Sequence, residues 1–281
     1  MAKVSATHVS HDMGMHDETL TGRSYQAFFS GAEEENYLYP DAYEVDFDKR
    51  AEFDAAELET TAINLKIREL MKEGYGHIVV NNPNAKHSLG CGILNRLKLD
   101  FEGSLGYFAA GLLDGPNVRI KGRVGWSCGE NMMAGTVVIE KNAGSTFGAA
   151  LRAGDLVCRG DVGSRTGICM KGGSIIIGGR TGMLSGFMMQ RGRMIVLGDA
   201  DENLGDSMYD GTIYVGGKIE SLGIDAVQAD MTELEISWLK QKLEIYELEA
   251  PNGVENLQKI VSGKQLWNYD SLEPGEKTLV L

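Results

Sequence analysis

GDVGSRTGICMKGGSIIIG (residues 160–178) runs directly into GRTGMLSGFMMQRGRMIVL (residues 179–197). Both segments have the same length, open with Gly-x-x-Gly-x-x-x-Gly and end in a short apolar run. The step of 19 extends far beyond this pair. A first glycine column holds Gly103, Gly122, Gly160, Gly179, Gly198 and Gly217, with Lys141 in the missing place. A second holds Gly106, Gly125, Gly144, Gly163 and Gly182. A third holds Gly129, Gly148, Gly167, Gly186 and Gly205, and a fourth Gly135, Gly154, Gly173, Gly192 and Gly211. A fixed period of this size is the mark of a stacked repeat architecture.

Apolar residues keep the same step. Leu99, Val118, Val137, Leu156, Ile175, Met194 and Ile213 form one column. Two places on stand Phe101, Ile120, Ile139, Cys158, Ile177, Val196 and Val215. Residues two apart on a strand share a face, so both columns point into one core. The preceding column, Asn117, Thr136, Asp155, Ser174, Arg193 and Thr212, is polar and is expected to face solvent. A further column, Leu94, Leu113, Met132, Leu151, Met170, Met189 and Met208, lines the core from another wall. One strand per 19 residues, laid on its copy in the next repeat, predicts an all-β core. The expected fold is a right-handed parallel β-helix of about seven coils with flanking α-helices. The glycines serve the corners, where backbones turn sharply and approach closely.

The predicted organisation has four parts. Residues 1–53 lack a period, and the acidic, aromatic run at residues 28–48 suggests an extended arm that wraps a partner, or else a mobile segment. Residues 54–83 hold a helix and a strand that lead into the coil. Asp54 and Glu57 have the spacing of a capping box, and Ile63, Ile67, Leu70 and Met71 form an apolar stripe. Residues 84–223 are the β-helix. Residues 224–281 hold a second helix and a tail. That helix starts at a Thr232–Glu235 capping box with Met231 and Ile236 as staple. Its apolar face is Leu234, Trp238, Leu239, Leu243 and Tyr246, and it is expected to seal the open end of the coil.

Composition restricts the partners. A formal charge of −13 disfavours nucleic acid and anionic membranes. No apolar run is long enough to span a bilayer, and no apolar signal core follows the first residues, so a cytoplasmic location is expected. Cys91, Cys128, Cys158 and Cys169 lack metal-binding spacing and are read as free thiols. His8, His11 and His16 are read as tail residues and not as metal ligands, and His77 and His87 as structural. Met133, Met188 and Trp126 lie off the core columns and are candidate contact residues. The recurring glycines do not form a dinucleotide loop, which needs a single Gly-rich turn leading into a long helix. Basic charge gathers in the middle coils at Arg152, Arg165, Lys171, Arg180, Arg191 and Arg193, a candidate partner-binding patch or channel mouth.

AINLKIRELMKEGYGHIVVNNPNAKHSLGCGI (residues 62–93) and FEGSLGYFAAGLLDGPNVRIKGRVGWSCGENMMAGTVVIEKNAG (residues 101–144) resemble the GXGXG domain at the C-terminus of the glutamate synthase large subunit. SGFMMQRGRMIVLGDADENLGDSMYDGTIYVGGKIESLG (residues 185–223) is similar to the stand-alone members that serve N-methylglutamate synthase, a methylamine–glutamate N-methyltransferase. The coil also resembles the β-helical scaffold of formylmethanofuran dehydrogenase. The first resemblance implies a scaffold with no catalytic residue, cofactor or metal of its own. It implies a hetero-oligomer with a class II glutamine-amidotransferase-like subunit and an FMN-dependent, iron–sulfur synthase subunit. A formylmethanofuran-type complex is the alternative. A β-helical carbohydrate-active enzyme is the third reading, and it would need carboxylates gathered on one wall. Asp155, Asp161, Asp199, Asp201 and Asp206 are instead spread over several columns.

Overall fold

The computed structural model describes residues 43–263. It is a β-solenoid of about seven turns with 19-residue repeats and two helices. The strands are β1 (Asp46–Asp54), β2 (Tyr75–Asn81), β3 (Lys98–Glu102), β4 (Asp114–Ile120), β5 (Ala134–Ile139) and β6 (Asp155–Cys158). They continue with β7 (Lys171–Ile177), β8 (Arg191–Val196), β9 (Thr212–Val215), β10 (Ala226–Ala229) and β11 (Gln258–Ser262). Helices α1 (Thr60–Lys72) and α2 (Glu233–Ile245) flank the coil. Neighbours from β1 to β9 pair in parallel and in chain order.

The 19-residue step is the strand register. Leu99 pairs with Val118, Val118 with Val137, and so on through Ile213. The Phe101-to-Val215 column pairs in the same way. Every member of both columns is buried, as are Leu113, Met132, Leu151, Met170, Met189 and Met208 on the opposite wall. Leu94 is an exception. It is 39% exposed, and Ile93 takes its place in the core. The Asp114 N–H bonds to the Ile93 carbonyl as the Met133 N–H bonds to that of Leu113, so the first coil is one residue longer here. A third core wall, Val124, Ala143, Val162, Thr181 and Ala200, also follows the step, and its small side chains fill a narrow corner.

The glycine columns answer two different demands. Gly144, in the second column, has ordinary backbone angles, but a Cβ there would lie 2.8 Å from the Gly125 carbonyl carbon of the coil below. Gly154, in the fourth, has φ +84°, a left-handed conformation that an L side chain resists. Two further corner columns are left-handed without glycine. Ser127, Thr146, Arg165, Leu184 and Asn203 form one, and Asn131, Ala150, Cys169, Met188 and Ser207 the other. Their N–H groups bond to the next coil, as Arg165 does to the Met183 carbonyl at 2.9 Å and Cys169 to that of Phe187 at 2.9 Å. These ladders offset the cost of the conformation.

The solenoid ends are closed differently from expectation. Residues 46–53 are not an arm but most of β1, which adds a parallel edge strand to β2. The Asp54–Glu57 capping box does not form. Asp54 stays extended because it pairs with Asn81 in the sheet, and its carboxylate accepts the Ala56 N–H at 2.8 Å. Helix α1 begins later, at Thr60, with Glu59 as N-cap. Its buried stripe of Ile63, Ile67, Leu70 and Met71 joins the solenoid core and plugs the N-terminal end. At the other end β11 pairs antiparallel with β9, and β10 with β11. The tail residues Leu257 and Ile260 thus dock on this chain, whereas Leu266 and Trp267 lie outside the described residues.

Candidate interaction surfaces

Helix α2 does not seal the coil end. Its Thr232–Glu235 capping box forms in both directions, but the helix lies along the outside of the sheet. Trp238, Leu239, Leu243 and Tyr246 pack on Val157, Ile176, Ile195 and Tyr214, the outward residues between the two core columns. Leu234 is 46% exposed and takes no part in that contact. The cause is sequence on the outer face. Where Asp100 and Arg119 keep the early strands polar, valine, isoleucine and tyrosine make the later ones apolar.

Covering this face buries polar residues expected in solvent. Asp155, Ser174 and Arg193 are each 6% exposed or less. Lys242 Nζ donates to Asp155 Oδ2 at 2.8 Å, and the Tyr246 hydroxyl donates to the same oxygen. The Arg193 guanidinium sits 4.7 Å from the centre of the Trp238 ring. Glu235 accepts from the Tyr214 hydroxyl at 2.8 Å and from Lys259 Nζ at 2.7 Å. Burial opposes the charge on Glu235, but Lys259, the Thr232 N–H and Tyr214 outweigh it and hold the carboxyl below its ordinary range. A depressed folded pKa stabilises above the unfolded value and is lost as pH falls through the folded one. Stability to urea should therefore fall as pH drops below about 4.3. Glu235→Gln should flatten that part of the profile, which urea titrations at pH 3 to 7 would read.

The six basic residues do not form one patch. Arg152, Lys171 and Arg191 line the edge where β6, β7 and β8 begin, with Lys171 in register with Arg191. Arg193 is buried under α2. Arg180 lies at the corner after β7, 3.6 Å from Asp161, and Arg165 is exposed at a left-handed corner elsewhere. Asp210 is close to the edge cluster. Burial raises its pKa, and Arg191 and Arg193 oppose that rise.

All four cysteines are free thiols. Burial pushes Cys158 up to about 12 and raises Cys128 further, and the Cys158 thiol donates to the Lys141 carbonyl at 3.0 Å. Alkylation of the native protein at pH 8 should leave Cys128 and Cys158 unmodified, while half-buried Cys169 reacts, as peptide mapping would show. Among the described residues no group of three or more His, Cys, Asp or Glu side chains is placed to hold a metal ion. His8, His11 and His16 lie outside the described residues. His77 Nε2 is 2.8 Å from Asp100 Oδ2, and His87 Nδ1 accepts the Tyr107 N–H at 2.9 Å.

Of the candidate contact residues, Trp126 is 58% exposed, whereas Met133 and Met188 are half-buried. Trp126 stacks on Tyr107, with centroids 5.4 Å apart, and Tyr107 on His87, at 4.7 Å. Phe108 and Leu112, further along the coil that holds Tyr107, are also exposed. Tyr107 escaped the sequence reading although it stands one 19-residue step before Trp126. Among the described residues no helix is long and apolar enough to cross a membrane.

A family model described as the GXGXG motif matches residues 55–261, well over half of the chain. No curated protein matches it. The match spans the solenoid and both helices, and the glycine columns that define the corners lie within it. This chain therefore belongs to the GXGXG family, whose β-helix is like the C-terminal domain of glutamate synthase and typical of glutamate synthase-like complexes.

Proposed function

We propose that this chain is a non-catalytic scaffold subunit of a glutamate-synthase-like multi-subunit enzyme. Its complex is N-methylglutamate synthase, which forms N-methylglutamate from methylamine and glutamate. The observation that supports this reading best is the family match across a solenoid with separate outer walls. A rigid stack of rungs offers extended surfaces at fixed spacing, which suits holding other subunits apart and in register. A class II glutamine-amidotransferase-like subunit and a synthase subunit carrying FMN and an iron–sulfur cluster are the partners. In this reading the edge of Arg152, Lys171 and Arg191 is one contact surface, because its positive charge stands out on an acidic chain and favours an acidic partner.

The test is isolation of the tagged full chain from its native host, followed by native mass spectrometry and assay of the eluate. Co-elution of a flavoprotein and an amidotransferase-like subunit, with methylamine-dependent formation of N-methylglutamate, is expected. A homogeneous monomer overturns the scaffold reading. Co-elution with a metal-dependent hydrolase and a formyl-transferring subunit replaces the named complex with the formylmethanofuran type.

A further inference from the structure

Five successive coils cross one wall of the solenoid as six-residue turns, at residues 107–112, 126–131, 145–150, 164–169 and 183–188. Backbone bonds lay each turn on the next. The Phe108 N–H bonds to the Trp126 carbonyl, that of Ser127 to Ser145, that of Thr146 to Ser164 and that of Arg165 to Met183. The third and fourth places of every turn are buried in the core. From the other places Tyr107, Leu112, Trp126 and Met183 reach solvent, at 44%, 55%, 58% and 42% exposed. Ile168, Leu184, Phe187 and Met188 are half-buried there. Five rungs spaced about 4.8 Å apart make the wall roughly 24 Å tall, the scale of a contact of about 800 Å² per partner.

This wall nearly lacks charge. Of its thirty residues only Glu130 and Arg165 are charged, whereas the whole chain is 24% charged. The corner that follows the strands shows the contrast, with Lys121, Lys141, Asp161, Arg180 and Asp199. The next turn, residues 202–207, ends the neutral stretch with Glu202 and Asp206. Helix α2 covers the strand wall and not this one. Exposed aromatic and methionine side chains on a surface depleted of charge mark the centre of a protein–protein contact.

The two charges indicate which partner fits. Glu130 holds the fifth place of the second turn, and Arg165 the second place of the fourth turn. Their midpoint therefore falls on the third turn of five, between Phe147 and Gly148, at the centre of the wall. The outward residues around that centre are small: Ser145, Thr146, Ala149 and Ala150. Consider a two-fold axis in the contact plane, through this centre and perpendicular to the line joining the charges. It sets Glu130 of each copy against Arg165 of the other. A wall of this kind is complementary to itself.

We propose that this wall pairs with the same wall of a second copy of the chain, in a two-fold dimer with Glu130 facing Arg165 across it. The larger side chains stand at the two ends of the wall, Tyr107 and Leu112 at one and Met183 and Phe187 at the other. The same axis turns the first end of one copy toward the second end of its partner, where thioethers meet aromatic rings. This inference is independent of which enzyme the scaffold serves.

The test is sedimentation velocity on the purified full chain over a dilution series, with far-UV circular dichroism on every variant. A dimer at micromolar concentration is expected. Met183→Arg should shift it to monomer with the circular dichroism spectrum unchanged. Glu130→Arg or Arg165→Glu alone sets like charges face to face and should weaken the dimer by about tenfold or more. The two reversals together restore opposite charges and should return the dissociation constant close to that of the unaltered chain. An unaltered chain that stays monomeric at tens of micromolar overturns the proposal, including one that associates only when other subunits are added. A dimer indifferent to the single reversals overturns it too, since the contact then lies elsewhere. So does a double reversal as weak as the single ones, because the two charges then do not face each other.

Discussion

Gly154→Val should cost about 4 kcal/mol or more and leave little folded protein at 37 °C. Two independent effects act at this corner. The backbone φ of +84° is left-handed, which a β-branched residue resists strongly. The new Cβ would also lie 2.4 Å from the Gly135 carbonyl oxygen and 2.7 Å from Met132 Cε. The first contact is with the backbone of the preceding coil, so relief requires the rungs to separate. Gly92 is the internal control. It has a similar left-handed φ of +65°, but its Cβ would meet only the end of the Arg68 side chain, at 3.8 Å. Gly92→Ala should therefore cost only about 1–2 kcal/mol. Urea unfolding of both variants separates conformational cost from steric cost. A Gly154→Val protein as stable as Gly92→Ala would show that the rungs are not held at this spacing.

The second large effect belongs to the helix on the flank. Asp155→Ala should destabilise the protein by about 3–5 kcal/mol, because it leaves Lys242 charged, buried and without its carboxylate. The side chains of Lys242 and Asp155 are only 5% and 9% exposed. The same substitution takes away the acceptor of the Tyr246 hydroxyl. Release of α2 from the sheet should follow, and limited proteolysis should cut at Lys240 or Lys242 before the solenoid unfolds. The double variant Asp155→Leu with Lys242→Met should recover most of the loss, since apolar groups of similar size replace a buried pair at little cost. Failure of the double variant to recover stability would make the Tyr246 contact, not the ion pair, the main tie.

Much of the solenoid is readable in the chain because it has one cause. A residue at i and another at i + 19 occupy equivalent places on successive rungs, so each place selects one kind of side chain. Leu156, Ile175 and Met194 are apolar for the same reason that Gly154, Gly173 and Gly192 lack a Cβ. Where a place tolerates many residues, the signal vanishes. Arg165, Leu184 and Asn203 share a left-handed backbone and no chemistry, and only their inter-coil hydrogen bonds explain it. The slip at Leu94 was hidden because Ile93 beside it is equally apolar.

The candidate contact surfaces were less legible, for a related reason. Arg152, Lys171 and Arg191 share an edge that the repeat register reveals. Arg193 is only two residues from Arg191, yet it turns to the outer face and lies under Trp238. Its burial depends on a helix some forty positions further along the chain.

Periodicity alone was enough for the coil, its core and its glycine corners, since every rung meets a neighbour of the same shape and the constraint repeats in the residues. Three features have no periodic counterpart: α1 plugging the first rung, β11 reversing direction to pair with the last, and α2 covering half of one wall. Each arises once, between segments far apart in the chain. What selects them is the fit of one surface to another, and that fit exists only after the rungs have stacked.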